Sequence, residues 1–358
     1  MKHKVLLYIH IPFCDSKCYY CDFNSYVKLH HLHKQYIDVL LDELKQKIQK
    51  YKISKFDTVF IGGGTPSCID AKLFGPVFKL IQGYISKQTE ITIEANPSTA
   101  TKKWLEFMKN MGVNRLSLGV QSLRDDKLKY LGRNHTKDIA IDTINTAKMV
   151  GFENINCDII YNVKGDTKKN LTQDIEDILK LDIQHISLYS LTIEKGTIFS
   201  KKNEKSQNNK DKLVSNIMKS NFFFQYEVSA WAKKKSFICK HNLGYWKYKP
   251  YLGIGAGAVS CIKNERYKNK KNILKYLNNS QNVQSFETLS KEEIITEKTL
   301  LGLRSIVGCS IDIYNDKQKD YIYELIVANK LKINNNRIFA IDYMIADELS
   351  LYVLGSSF

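Results

Sequence analysis

The chain lacks the long hydrophobic runs that insertion into a membrane requires. The apolar stretch at its start, in MKHKVLLYIHIPF, is too short for a secretory signal, and no later stretch of the 358 residues approaches a membrane span. Its eight cysteines are also not arranged along the chain in the regular pattern of half-cystines that is typical of small, disulfide-rich secreted domains. These absences predict a cytoplasmic protein with reduced thiols.

Acidic residues are in deficit, with 37 Asp and Glu against 54 Lys and Arg, and the net charge is +17. Such a surplus can attract nucleic acid, an acidic membrane or an anionic ligand. The lysines are nevertheless spread along the chain, and the run KKNEKSQNNKDK at Lys201–Lys212 has none of the interleaved aromatic residues of RNA-binding surfaces. We interpret this run as a solvated loop and expect no nucleic-acid partner.

Three cysteines near the start of the chain are spaced C-x-x-x-C-x-x-C, namely Cys14, Cys18 and Cys21. Structural zinc sites and ordinary Fe–S clusters take four protein ligands. Three thiolates on one short loop therefore suggest a 4Fe–4S cluster with one iron left open for another molecule. The alternatives are a zinc site with a distant fourth ligand, or three unrelated thiols.

Short apolar strands alternate with amphipathic helices along the chain. The strand patterns cover Val5–Ile9, Thr58–Ile61, Glu90–Glu94, Arg115–Gly119, Asn154–Ile160 and His185–Leu191. Between the first two, apolar residues recur at helical spacing from Ile37 to Ile48. This alternation predicts parallel strands with right-handed crossovers, so an α/β barrel or part of one, although a doubly wound sheet fits the periodicity equally well.

Polar residues at the predicted strand ends favour the barrel. The cysteine loop follows the first strand and GGGTPS (Gly62–Ser67) the second, while Glu94 closes the third. Gln121 comes just after the fourth strand, and Asp158 lies late in the fifth. Because the C-terminal ends of parallel barrel strands carry the active site, we expect these groups to share one pocket.

Ten segments, taken in order, resemble one protein family. They are LYIHIPFC, VFIGGGTPS, ITIEANPS, GVNRLSLGVQS, LGRNH, NINCDIIYNV, HISLYSLTIEKGT, YEVSAWA, HNLGYW and YLGIGAGA. From Tyr8 to about Ser260 the chain resembles the radical S-adenosylmethionine (SAM) family that contains oxygen-independent coproporphyrinogen III oxidase and a related heme chaperone. The resemblance implies an α/β fold, a partial (β/α)6 TIM-like barrel, with a small α+β C-terminal domain.

The resemblance also implies the cofactors and their ligands. Cys14, Cys18 and Cys21 would ligate a 4Fe–4S cluster, and its open iron would bind SAM. The SAM contacts would be Tyr8, Tyr20, Gly63, Gly64, Thr65, Glu94, Gln121, Arg133 and Asp158. Their chemistry suits that ligand, because carboxylates can meet an ammonium or ribose hydroxyls and a guanidinium can hold a carboxylate.

Three features separate the two branches of the family. The oxidase pattern has a fourth cysteine two residues after the third, where this chain has Phe23. The oxidase also carries an extended N-terminal segment, whereas the first strand here begins at about Val5. HNLGYW, from His241 to Trp246, matches a signature of the chaperone branch. We therefore predict a chaperone that binds the cluster, SAM and heme and transfers heme to client proteins.

Two alternatives stay open, and with them the question of enzymatic activity. One is the oxidase, which converts coproporphyrinogen III to protoporphyrinogen IX with a radical derived from SAM. The other is an unrelated radical SAM enzyme. The partners implied by the chaperone prediction are heme and client hemoproteins, with respiratory enzymes at a membrane surface as examples and a homodimer as a further expectation.

The HNLGYW segment contains the candidate contacts to heme. His241 is a candidate axial ligand to heme iron, and Tyr245 and Trp246 could pack on the porphyrin. The alternative is that these residues anchor a loop against the barrel. The group His30, His31 and His33 has no thiol or acidic partner close by in sequence, and we expect it to be solvated.

The pattern changes near Glu287, which divides the chain into a barrel domain at 1–286 and a small domain at 287–358. SKEEIITEKTLLGL predicts a capped helix that begins near Ser290. The small domain is expected to cover the barrel mouth or to contact a client. Within the barrel, Asn162-Val163-Lys164-Gly165 replaces the family's Gly-Leu-Pro-Gly turn, and we expect a looser loop there without loss of a ligand.

Overall fold

The computed structural model describes residues 3–206, 209–281 and 283–355. Gln207 and Asn208 of the predicted solvated loop lie outside the described residues. The strands are β1 (His3–Ile11), β2 (Ile53–Gly63), β3 (Glu90–Ala95), β4 (Arg115–Gln121), β5 (Ile155–Tyr161), β6 (His185–Ser190), β7 (Phe224–Gln225), β8 (Ala230–Ala232), β9 (Tyr251–Ile254), β10 (Val259–Ile262), β11 (Glu265–Asn269), β12 (Val283–Thr288), β13 (Cys309–Ser310), β14 (Leu331–Asn334) and β15 (Arg337–Ala340).

Helices fill most of the connections between these strands. They are α1 (His33–Lys50), α2 (Gly75–Gln82), α3 (Lys102–Asn110), α4 (Asp125–Leu131), α5 (Lys137–Met149), α6 (Lys168–Leu179), α7 (Ile198–Lys201), α8 (Asp211–Ser220), α9 (Lys240–Trp246), α10 (Ile273–Asn278), α11 (Lys291–Leu303), α12 (Asp316–Val327) and α13 (Ala346–Leu354). Among the described helices, none is long and apolar enough to cross a membrane.

The main sheet has the order β12-β11-β10-β9-β1-β2-β3-β4-β5-β6-β8-β7. Strands β1 to β6 pair in chain order and all run parallel, and β9 adds a further parallel strand beside β1. Within the described residues the two edge strands, β12 and β7, do not meet, so the sheet stays open. The predicted partial barrel of parallel strands and helices is confirmed.

Apolar residues on both faces of the central strands explain why they form a buried parallel sheet. In β4 and β5 nearly every residue is buried, as expected for strands that are covered by helices on one face and face the barrel interior on the other. On α1, Ile37, Leu40, Leu44 and Ile48 form the predicted stripe and all are buried in the main core. The helices therefore pack on the outside of the sheet.

Threonine side chains mark where several helices begin after the strand-end loops. Thr101 accepts a hydrogen bond from the backbone of α3, Thr136 from that of α5 and Thr167 from that of α6. Each cap satisfies one backbone N–H that the first helical turn leaves unpaired. The caps thus mark where these loops end, and the loop before Thr136 carries Arg133.

The C-terminal segment forms a second core. Helices α11, α12 and α13 pack around the antiparallel sheet β13-β15-β14, with Ile322, Leu331 and Ile338 among its buried residues. Ser290 and Glu293 form the predicted capping box at the start of α11. Strand β12 still pairs with β11 through Thr288, so the chain leaves the main sheet between that residue and α11.

Candidate functional site

A cavity of about 1380 Å³ is lined by the loops at the C-terminal ends of the parallel strands. Every residue that the sequence suggested as a ligand lines it: Tyr8, Cys14, Cys18, Tyr20, Cys21, Gly63, Gly64, Thr65, Glu94, Gln121, Arg133, Asp158 and His241. Parallel pairing in chain order brings the ends of β1 to β5 side by side, which explains this convergence.

The cysteine loop follows β1 and is closed by backbone hydrogen bonds. The N–H of Cys14 donates to the carbonyl of Tyr26 at 3.0 Å, and the N–H of Tyr26 donates to the carbonyl of Pro12 at 2.7 Å. All three cysteines of the loop are free and half-buried. Burial raises the pKa values of the Cys14 and Cys21 thiols, and the neighbouring thiols add to both shifts.

The three thiols can be considered as ligands of one ion or of a cluster. Within the described ranges, no group of three His, Cys, Asp or Glu side chains is arranged to hold one ion. A 4Fe–4S cluster presents a different iron to each thiolate, so its ligands need not converge on one point. Three thiols on one loop that line the same cavity are compatible with a 4Fe–4S cluster that leaves one iron without a protein ligand.

The glycine turn at the end of β2 packs against the cysteine loop. The N–H of Gly64 donates to the carbonyl of Ile11, and that of Thr65 donates to the carbonyl of Phe13, both at 2.7 Å. A Cβ at Gly64 would lie 2.6 Å from the Phe13 carbonyl oxygen and 3.1 Å from Cys14 Sγ, so only glycine allows this approach. The turn thus brings backbone groups next to the cysteines.

Two carboxyl groups face the cavity from adjacent parts of the sheet. Glu94 Oε2 accepts a hydrogen bond from the N–H of Gly63 at 3.0 Å, while Asp158 accepts from Asn156 Nδ2 at 2.9 Å and from Ser117 Oγ at 3.2 Å. Burial, and then the charge of Asp158, raises the pKa of Glu94 to about 7. Burial also raises the pKa of Asp158. Paired carboxyl groups that are costly to ionise suit a cationic ligand, whose charge would offset that cost.

Arg133 connects the fourth strand to the cysteine loop. Its Nη1 lies 3.1 Å from Cys18 Sγ and its Nη2 donates to the carbonyl of Gly119 at 2.8 Å. The buried Nε has no acceptor among the described residues. A buried donor without a partner is costly, and an anionic group of a ligand would satisfy it. Gln121, near this guanidinium, has a φ of 66° at an irregularity in the pairing of β4 with β5.

His10 is a site residue that the sequence did not single out. Its Nδ1 is 2.9 Å from the hydroxyl of Tyr8, and its Nε2 is 2.9 Å from the carbonyl oxygen of Asn24. Burial lowers its pKa, so the ring is neutral and connects β1 to the far end of the cysteine loop. Its position in IHIPFC, four residues before Cys14, was the available signal.

His241 lies on α9 with both ring nitrogens occupied. Nδ1 is 2.7 Å from Thr58 Oγ1 and Nε2 is 3.1 Å from the hydroxyl of Tyr245. Burial, and then the positive charge of Arg115, lowers the pKa of His241 to about 3. An axial bond to heme iron would require Nε2 to give up the Tyr245 contact. Tyr245 lines the cavity, whereas Trp246 lies outside its lining.

The backbone of α9 is fixed to the sheet by a buried carboxylate. Glu90, the first residue of β3, accepts hydrogen bonds from the N–H of Lys240 at 3.0 Å and from that of His241 at 2.9 Å. A carboxylate at a helix N-terminus satisfies unpaired N–H groups and complements the helix dipole. The start of the HNLGYW segment is therefore fixed to the barrel through its backbone.

The expectation that His30, His31 and His33 are all solvated is wrong for His33. Its ring is buried against Phe13 with centroids 4.5 Å apart, and burial lowers its pKa to about 4. His30 also has an acidic neighbour, since its Nε2 lies 3.9 Å from Asp15. The cysteine loop folds back over the start of α1, a contact between segments that the local pattern does not reveal.

The turn after Asp158 forms without the family's proline. Asn162 and Gly165 have φ values of 60° and 87°, and the N–H of Asp166 donates to the carbonyl of Val163 at 2.9 Å. Asp166 in turn accepts from the fully buried ammonium of Lys127 at 3.1 Å. This ion pair fixes the loop that the sequence predicted to be looser.

A cysteine loop after the first strand, a glycine turn after the second and carboxyl groups around one cavity define a radical SAM protein. Residues 8–178 accordingly match the Radical SAM superfamily. The heme chaperone HemW of Lactococcus lactis is 34% identical to the chain, over 94% of this chain and 93% of that protein. HemW of Escherichia coli is 36% identical, over 70% and 68% respectively. The chain belongs to the HemW family of radical SAM proteins.

A solved structure shares the fold over nearly the whole chain. Coproporphyrinogen III oxidase (HemN) from Escherichia coli, a radical SAM enzyme, superposes with a TM-score of 0.85 over 98% of this chain and 90% of its own. The identity is 19%, so this likeness concerns the fold alone. Both the barrel and the C-terminal segment are included in the match.

Proposed function

We propose that this protein is a heme chaperone that binds a 4Fe–4S cluster, SAM and heme and passes heme to client hemoproteins. The observation that supports it most is the similarity to HemW heme chaperones, which extends over 93% of the Lactococcus protein. The cavity supports it as well, since it offers thiols, carboxyl groups and a guanidinium together. Radical SAM family membership implies the first two cofactors, and the name of the relatives suggests the third.

In this proposal Cys14, Cys18 and Cys21 hold the cluster, which supplies an open iron for the amino and carboxylate groups of SAM. The protein's own groups bind and orient the ligand around that point. The free Nε of Arg133 would donate to an anionic group, and Glu94 and Asp158 would accept from the N–H groups of the iron-bound amine or from ribose hydroxyls. Backbone groups at Gly63 and Gly64 approach closely because no side chain intervenes.

The remaining predicted SAM contacts surround these groups. Tyr8 and Tyr20 line the cavity, with the Tyr20 hydroxyl 3.5 Å from Arg133 Nη1. Gln121 and Thr65 add amide and hydroxyl groups that can donate or accept. Binding of SAM and the cluster to the folded state alone stabilises it by an amount that grows with the logarithm of the ratio of ligand concentration to dissociation constant. We infer that this ordered state is the one that takes up heme.

A combined assay of heme transfer and enzymatic turnover tests the proposal. Cluster-reconstituted protein, verified by iron and sulfide content, is loaded with heme under anaerobic conditions and mixed with apomyoglobin as a generic acceptor. In parallel it is supplied with coproporphyrinogen III, SAM and a reductant, beside a genuine oxidase as positive control. We expect heme binding and transfer without formation of protoporphyrinogen IX.

The outcomes separate the alternatives. Multiple turnovers to protoporphyrinogen IX would make this an oxidase despite Phe23, and neither transfer nor turnover would contradict both functions. Cys18→Ala should lose the cluster, whereas Cys68→Ala, a half-buried thiol outside the cavity lining, should keep it. Full iron content and unchanged charge-transfer absorbance in Cys18→Ala would refute the cluster assignment.

A further inference from the structure

One wall of the cavity is formed by the hairpin of β10 and β11, far along the chain from the cysteine loop. Arg266 and Lys268 of β11 both line the cavity, and Tyr267 between them is buried. Successive side chains of a strand point to opposite faces, so the two cations share the cavity face. The hairpin therefore adds positive charge to a site whose known groups lie on other strands.

The two cations differ in what faces them across the sheet. Arg266 is opposite Glu287 of β12, with Nε 2.5 Å from its Oε1, and its Nη1 lies 2.6 Å from Glu297 of α11. Lys268 is opposite Ser285, which carries no charge. The ladder thus neutralises Arg266 within the protein and leaves the charge of Lys268 for another group.

Lys271, just after β11, adds a second uncompensated charge at the same place. It lines the cavity, and its side chain is close enough to Lys268 that burial and the charge of Lys271 together lower the pKa of Lys268. Within the described part of the chain, neither lysine lies within 4.0 Å of a carboxylate. Two adjacent like charges repel each other, and a bound anion would remove that repulsion.

The cysteine loop contacts the backbone of Lys271. Asn24 Nδ2 donates to the carbonyl of Lys271 at 3.2 Å, and the Tyr26 hydroxyl donates to the same oxygen at 3.1 Å. The neighbouring Phe23 is 64% exposed and also lines the cavity. Phe23 is thus next in sequence to a residue that contacts the Lys271 backbone, and it adds an apolar surface to the cavity wall that carries the two cations.

We propose that Lys268 and Lys271 bind the carboxylates of a tetrapyrrole at the cavity rim, with Phe23 packed on its apolar plane. Heme has this combination, since its planar apolar ring carries two propionate groups at one edge. The inference rests on the proposed heme-binding function and names the residues that would orient the ligand. It gives Phe23 a role at the position where the oxidase pattern has a cysteine.

The test compares Lys268→Gln/Lys271→Gln with a charge-matched control, Lys270→Gln/Lys275→Gln. Lys270 lies between the two proposed ligands and Lys275 is on α10, and neither lines the cavity. Wild type and both variants are titrated with heme and with heme dimethyl ester, in which the propionates are uncharged. The Soret band reports the affinity. Because two partly exposed ion pairs together contribute about 1.4 kcal/mol, we expect the wild type to bind heme about tenfold more tightly than its ester.

We expect the Lys268/Lys271 variant to lose about tenfold in heme affinity and most of its preference over the ester, while the control retains both. An equal loss in the control, or a retained preference in the test variant, would overturn the site and leave heme binding in place. Slower transfer to apomyoglobin with unchanged heme affinity would overturn it in favour of an acidic client surface. A wild type that binds no heme would refute the proposed function itself, and iron content and SAM affinity report on folding throughout.

Discussion

Replacing Glu94 by Gln should stabilise the cofactor-free protein and weaken its binding of SAM. The Glu94 carboxyl lines the cavity, and burial and the charge of Asp158 raise its pKa from 4.5 to about 7. At about 1.4 kcal/mol per pKa unit, keeping this group ionised in the folded state costs up to about 3 kcal/mol. Glutamine removes the charge, and its side-chain oxygen can still accept from the N–H of Gly63.

The pH dependence gives the sign of the effect. Because the pKa of Glu94 is higher in the folded state, the folded protein binds more protons than the unfolded chain between pH 4.5 and about 7. The free energy of unfolding of the wild type therefore falls, relative to that of the variant, as pH rises through this window. The advantage of Glu94→Gln should be near zero below pH 4.5 and reach its full value, at most about 3 kcal/mol, above pH 7.

Urea unfolding of cluster-free wild type and variant between pH 4 and 8 measures this difference, with Glu153→Gln, an exposed carboxylate, as the control for charge removal. Groups that titrate equally in both proteins cancel in the comparison. A difference that does not change with pH, or a variant less stable than wild type at pH 8, would refute the assignment of a costly buried charge. Unchanged SAM affinity in the reconstituted variant would remove Glu94 from the ligand set.

Arg133→Ala should lower SAM affinity at least tenfold with iron content unchanged, because a buried charge-assisted donor is lost. Calorimetric titration measures this affinity, and an unchanged value would remove Arg133 from the site. Lys127→Met should cost about 3 kcal/mol in urea unfolding, since buried Asp174 would lose the cation that pairs with it and Asp166 would keep only Arg124. The exposed Lys129→Met on the same helix should have little effect, and equal losses would contradict the buried-pair argument. His241→Ala should shift the Soret band if His241 is an axial ligand, whereas an identical band with reduced stability would assign it to anchoring α9.

Much of the fold followed from local pattern. The six parallel strands were predicted because each is a short apolar run followed by an amphipathic helix, and a crossover between parallel strands has one favoured hand. The convergence of Cys14, Glu94 and Asp158 on one cavity followed for the same reason, since consecutive parallel strands end at the same edge. The capping box at Ser290 was also local, as it spans only four residues.

Other features depended on contacts between distant segments. His10 became part of the site because β1 directs its ring at the carbonyl of Asn24, and His33 is buried because the cysteine loop lies over α1. Lys127 is buried with a charged partner because the β5–α6 loop places Asp166 beside it. Each of these roles requires a partner that no spacing rule connects to the residue.

Residue types at short, fixed spacings along the chain were enough to predict the three-thiolate loop, the alternation of six strands with helices and the family. The tertiary structure decided which charges are paired. Arg266 and Lys268 are two residues apart and chemically alike in sequence, yet strand pairing places Glu287 opposite the first and Ser285 opposite the second. Electrostatic compensation depends on distance through space, so only the folded chain distinguishes a neutralised cation from one available to a ligand.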